Sequence, residues 1–168
     1  MAMRHRFQYN LSVLFLLISG IGLCLGWQFS ELHKKQQAIS AVEALGGTVV
    51  YDYQWSEDQH WNANAVPPGP AWLRRICGQN VSANVVEIQL FAGNRQNPQR
   101  FTDVEARRLA VLHELKWLVL QDTKLTDEGL AHFQSLTKLE RLDIEGSLVT
   151  ENGVEKLEAA LPNLRVFY

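Results

Sequence analysis

The apolar positions of the chain change rhythm three times. From Leu11 to Trp27 they are almost continuous: LSVLFLLISGIGLCLGW holds no charged residue. As a helix this run measures roughly 25 Å, and with Phe7–Asn10 and Gln28–Phe29 roughly 35 Å, enough to span a bilayer core with some tilt. From Glu31 to Leu45 the pattern becomes periodic. Ala38, Ile39, Ala41, Val42 and Leu45 recur at three- and four-residue spacing, which predicts an amphipathic helix that Gly46-Gly47 stops. Thr48-Val49-Val50-Tyr51-Asp52-Tyr53 is β-branched and aromatic and predicts a strand with Val49, Tyr51, Tyr53 and Trp55 on one face. Ser56–Pro70, rich in Asn, Pro and Gly, reads as a loop with Trp61 as its buried plug. Pro70–Ile76 reads as a short helix with Trp72, Leu73 and Ile76 on its apolar side, ended by Gly78.

The third rhythm is an internal repeat. Leu115-x-x-Leu118-x-Leu120 returns at a later point in the chain as Leu139-x-x-Leu142-x-Ile144. The same offset carries Thr123 to Ser147, Leu125 to Val149, Thr126 to Thr150, Gly129 to Gly153, Leu130 to Val154 and Phe133 to Leu157. Phe101-Thr102-Asp103, Leu109 and Leu112 precede Leu125-Thr126-Asp127, Phe133 and Leu136 by that offset too. Val85-x-x-Ile88-x-Leu90 is the strand of that first unit. It stands further from Leu115-x-x-Leu118-x-Leu120 than the offset allows, and the extra residues fall in a loop insertion at Ala92–Gln99. Leu164-x-x-Phe167 is a last partial unit after Leu139.

Each repeated position has a physical role. A unit this short cannot bury its own apolar face, so successive units must stack. The L-x-x-L-x-L segment predicts a parallel strand with its leucines directed inward. Thr123 and Ser147 place a hydroxyl where the backbone turns. Thr126-Asp127 and Thr150-Glu151 precede a helical turn and predict side-chain capping, with Asp103 and Asp127 explained in the same way. Thr102-x-x-Glu105 is a capping box. Gly129 and Gly153 fall in the first helical turn, where a side chain would crowd the neighbouring unit.

On these residues the chain resembles bacterial leucine-rich-repeat proteins with the 24-residue L-x-x-L-x-L-x-x-T-x-[LV]-T-x-x-G-[LV]-x-x-[FL]-x-x-L unit. Residues 85–168 carry the pattern. The layout, with an anchor and an aromatic linker (Gly46 to Tyr53) before a few repeats, is similar to the short membrane-anchored members. The resemblance implies an α/β fold: a short solenoid of parallel strands and helices behind a transmembrane helix. It also implies protein–protein interaction in a cell-envelope setting. The expected organisation is an anchor with a short cytoplasmic tail at 1–30, a juxtamembrane helix at 31–47, a capping strand, loop and short helix at 48–84, and repeats at 85–168.

Charge refines the picture. The net charge is −2, but Arg4 and Arg6 lie before the apolar run without any acid, so the remainder is more acidic. No basic stripe fits a phosphate backbone, and no nucleic-acid partner is expected. The flanking charges favour a single-pass cell-membrane protein, anchored through residues 7–29, with its C-terminal domain outside the cytoplasm. A cleaved signal peptide is the rival reading. Trp27-Gln28-Phe29-Ser30 is bulky where a peptidase needs small residues, and Leu23-Cys24 is a poor lipoprotein box. Gly22-x-x-x-Gly26 is a small-residue pattern that would allow a weak homodimer.

No catalytic motif emerges. His113-Glu114 opens like a metalloprotease motif, but Trp117 stands where the second His belongs. Cys-x-x-Cys, Gly-rich phosphate loops and Gly-x-Ser-x-Gly do not occur, so no enzyme activity, cofactor or metal is expected. The expected partner is another protein, bound on the concave strand face. Aligning the units sets Glu87, Trp117, Arg141 and Val166 in one row, Gln89, Val119, Asp143 and Tyr168 in a second, and Phe91, Gln121 and Glu145 in a third. Aromatic anchors among charges suit an interface. The alternative is an envelope sensor that couples ligand binding to the membrane helix.

Overall fold

The computed structural model describes residues 11–55, 61–78, 80, 82–91 and 101–168. The insertion expected at 92–99, the start of the Ser56–Pro70 loop, and the flank at 7–10 with Arg4 and Arg6 lie outside the described residues. Two compact units, Met1–His33 and Lys34–Tyr168, divide the chain within helix α1 (Leu11–Ala44).

In the first unit α1 is apolar all round. Phe15, Leu16, Leu17, Ile18, Ile21 and Leu23 are each more than half exposed. By length and composition, α1 is long and apolar enough to cross a membrane.

In the second unit the remainder of α1 turns amphipathic. Ala38 and Val42 are buried, with Ile39 and Leu45 packed against the same core. A five-stranded mixed sheet follows, in the order β1 (Thr48–Tyr51), β2 (Val85–Leu90), β3 (Trp117–Leu120), β4 (Arg141–Asp143), β5 (Arg165–Phe167). β1 is antiparallel to β2 and the other neighbours are parallel. The link from β1 to β2 carries α2 (Ala71–Cys77). Parallel neighbours require crossovers. These run through α3 (Asp103–Leu109), α4 (Asp127–Ala131) with a 3-10 turn at His132–Ser135, and α5 (Glu151–Ala160).

The strand register follows the spacing read in the sequence. Ile88 pairs with Leu118, Leu118 with Leu142, and Leu142 with Val166. Leu115, Leu118, Leu120, Leu139, Leu142 and Ile144 are all buried beneath the sheet with Phe101, Leu125, Leu130 and Phe133 from the crossovers. Each such side chain contributes roughly 1.5–3 kcal/mol by leaving water. Thr123 is buried with them, and its hydroxyl donates to the Leu120 carbonyl at 3.3 Å. Thr102 and Glu105 form the expected capping box, and Thr126 and Thr150 accept from the Glu128 and Gly153 amides.

The aspartates correct the sequence reading. Asp103 does more than favour its own helix start. Its carboxylate reaches the next unit, accepting the Thr126 amide at 2.9 Å and the Thr126 hydroxyl at 2.8 Å. Asp127 accepts the Thr150 amide and hydroxyl in the same way, at 2.8 and 2.7 Å. Backbone bonds from Lys124 to Phe101 and from Leu148 to Leu125 lie beside these clips. Adjacent units are therefore tied at the crossover side as well as through the sheet.

Four further expectations are corrected. β1 ends at Tyr51 and a 3-10 turn follows at Asp52–Gln54. A register shift between Val50 and Tyr51 buries both residues, so the expected alternation fails. Trp61 is no plug: it bridges Trp55 and is 58% exposed. In α2, Trp72 and Ile76 do share a face, but it is exposed, because periodicity assigns a common side and not what covers it. Phe167 is exposed, since Val166 takes the inward position beside Leu142.

Candidate binding face

In a strand, residues flanking the buried positions point to the opposite face. On β2, β3 and β4 this places Glu87, Trp117 and Arg141 side by side, as the repeat offsets require. The fourth member is Arg165 and not Val166, because Arg141 pairs with Arg165. The second row is Gln89, Val119 and Asp143, continued by Phe167 and not by Tyr168. Both errors come from reading the last unit one residue out of register. The third set, Phe91, Gln121 and Glu145, lies past the strand ends, with Gln121 and Glu145 in turns. The Gln121 amide side chain donates to Asp143 Oδ2 at 3.0 Å, and the Glu145 amide donates to Asp143 Oδ1 at 3.2 Å.

The rows differ in exposure. Arg141 and Glu145 are exposed, Trp117, Val119, Gln121, Asp143 and Gln89 are half-buried, and Glu87 is only 7% exposed. Its burial departs from the expected open row. β1 pairs along β2, and the chain after β1 brings Trp55 onto Trp117, with ring centroids 5.3 Å apart and planes at 83°. Such edge-to-face contact suits the ring quadrupoles. At the far side the Arg141 guanidinium lies 4.9 Å from the Phe167 ring centre.

Where Trp55 meets Trp117 the surface opens into a cleft of about 310 Å³. Its lining includes Asp52, Trp55, Glu87, Lys116, Trp117 and Glu140. Asp52 is fixed by the Tyr53 amide at 2.8 Å and the Asn84 side-chain amide at 2.9 Å. Glu87 accepts from the Gln89 side chain. Lys116 and Glu140 stand one residue before the Trp117–Arg141 row, where the Glu140 amide donates to the Lys116 carbonyl at 2.8 Å. The aspartate, Trp55, Lys116 and Glu140 had no place in the residue rows read from sequence. The signal for the last two was present, since they are equivalent positions of successive repeats. The signal for Trp55 was not, because nothing local says which strand its segment crosses.

Among the described residues, no three His, Cys, Asp or Glu side chains gather as a metal site. No protein-family model matches the chain, and neither does any curated protein.

Proposed function

We propose that this chain is a membrane-anchored leucine-rich-repeat protein that binds another protein at the cell envelope through the exposed face of its sheet. The observation that carries this reading is the row of Trp117 and Arg141 beside Val119 and Asp143, held over a buried leucine ladder at constant register. A rigid sheet presenting an aromatic among polar neighbours offers an interface centre at little ordering cost. The short solenoid supplies the rigidity, because strands and Asp–Thr clips both join its units. The membrane helix supplies the place. No catalytic step is assigned to the chain.

The test is chemical crosslinking of the full chain in its own membrane, followed by capture and identification of the crosslinked protein. Trp117→Ala combined with Arg141→Glu should abolish the crosslink while circular dichroism stays unchanged. A crosslink that persists in the folded double variant would remove the sheet face from consideration.

A second reading, a sensor that passes ligand binding to the membrane, rests on α1 being one uninterrupted helix from Leu11 to Ala44. Deleting residues 1–30 separates the two. A scaffold retains partner binding and needs nothing more, whereas a sensor retains binding and loses its cellular output.

A further inference from the structure

The cleft beside Trp117 has a charge pattern that the binding role alone does not require. Three carboxylates, Asp52, Glu87 and Glu140, line it against a single cation, Lys116. Glu87 is more than nine-tenths buried, and the bond it accepts from Gln89 comes from a neutral amide. A buried carboxylate is costly unless charge or strong hydrogen bonds compensate it. The cleft is also walled by two half-buried indoles set at 83° to each other. Indole faces attract cations, Trp most strongly among aromatic side chains. Asp52 is held by two hydrogen bonds, so one carboxylate is pre-positioned before any ligand arrives. An acidic ligand would meet three carboxylates against one lysine, and a neutral apolar one would add no positive charge to balance them.

We propose that this cleft receives a basic side chain, lysine or arginine, from the partner protein. The proposal rests on the binding role assigned to the sheet face, and it names the chemistry of what that face recognises. The incoming ammonium or guanidinium group sits against the Trp55 and Trp117 rings and pairs with Glu87 and Glu140. Val119, Arg141 and Asp143 contact the rest of the partner segment.

The experiment uses the full chain in uncharged maltoside detergent, titrated with tetralysine, tetra(acetyl-lysine) and tetraglutamate peptides at about 0.15 M salt. Tetralysine should bind, and the acetylated and acidic peptides should not. Trp117→Leu and Trp55→Leu should each weaken tetralysine binding about tenfold. Glu140→Gln, an exposed and isosteric change, should weaken it at least about threefold and keeps the test valid if a Trp variant does not fold. Equal binding of lysine and acetyl-lysine peptides overturns the proposal, as does tetralysine binding that Glu140→Gln and both Trp variants leave unchanged. Absence of tetralysine binding overturns it too. If the Trp117→Ala, Arg141→Glu variant still loses the membrane crosslink, only the cleft assignment has failed. If the crosslink is also unaffected, the binding face has failed with it.

Discussion

At the scale of single residues, the most consequential arrangement is the triplet of Asp, Thr and Gly that recurs at the crossovers. A Cβ at Gly129 would overlap Asp103 Oδ1 and lie 2.6 Å from Leu125 Cδ1, and one at Gly153 would overlap Asp127 Oδ1. Glycine is needed there because the previous unit's carboxylate occupies the side-chain position. Gly129→Ala gains up to ~1 kcal/mol of helix propensity but overpacks a held carboxylate, which costs typically ~1–3 kcal/mol. Net destabilisation is expected in denaturant melts, and it should shrink when Asp103→Ala is added, because the obstructing group is gone. Asp127 provides a pH test. The Thr150 amide and hydroxyl hold its carboxyl below the ordinary aspartate value. A depressed folded pKa means that the clip stabilises fully above the unfolded value, about 3.9, and that this contribution is lost as pH falls through the folded pKa. Asp127→Asn should therefore melt lower than the parent at pH 7, with the gap narrowing below about pH 4. A gap that does not change with pH would show that the carboxylate charge is not what matters. Sequence reading found these aspartates by their spacing but assigned them to their own helices. The partner threonine lies across a unit boundary, and only the stacked chain brings it near.

At the scale of elements, the sheet is built from strands so short that neighbours must carry them. β4 and β5 have three residues each, below what an isolated strand could hold against its ordering cost. Leu118 sits between Ile88 and Leu142 in the ladder and is fully buried, as is Leu142. Leu118→Ala and Leu142→Ala should each cost ~2–5 kcal/mol, a large share of the ~5–15 kcal/mol total typical of a native protein. An unmoved melting temperature for either variant would contradict the burial. The turn after each strand adds a contrast. Asp122 and Gly146 occupy equivalent positions of successive units, and both have left-handed backbones, at φ 55° and 73°. Gly146→Ala would pay the left-handed cost of ~1–2 kcal/mol and strike Asp122 as well. Chemical denaturation of this variant should show a loss of at least ~1 kcal/mol.

At the scale of the whole molecule, helix α1 changes character along its sequence. Its first part exposes large apolar side chains, and its last turns bury Ala38 and Val42 in a protein core. The switch follows composition: uncharged residues up to Trp27, then charged and polar residues interleaved with small apolar ones. As part of the proposed function, the C-terminal unit lies outside the cytoplasm. An alkaline phosphatase fused after Tyr168 should then be active and sediment with membranes, because that enzyme matures only outside the cytoplasm. An inactive fusion would reverse the orientation, and an active soluble product beginning near residue 27 would show cleavage.

The sequence by itself determined the elements that depend on near neighbours and on constant spacing. The apolar span, the amphipathic turns ending at Gly46, the capping box at Thr102 and the buried leucines of β2, β3 and β4 were legible because each is a local preference or a repeated one. Periodicity did not foresee Trp61, Trp72 and Ile76 on the surface, nor the final strand's one-residue change of register at Val166. The tertiary structure alone decided the character of the candidate site. Trp55 reaches Trp117 from a distant part of the chain, and β1 settles beside β2, burying Glu87 in an otherwise open row. Such contacts are chosen by whichever distant surface best compensates the burial of rings and charge, a competition among all parts of the fold that no local pattern records.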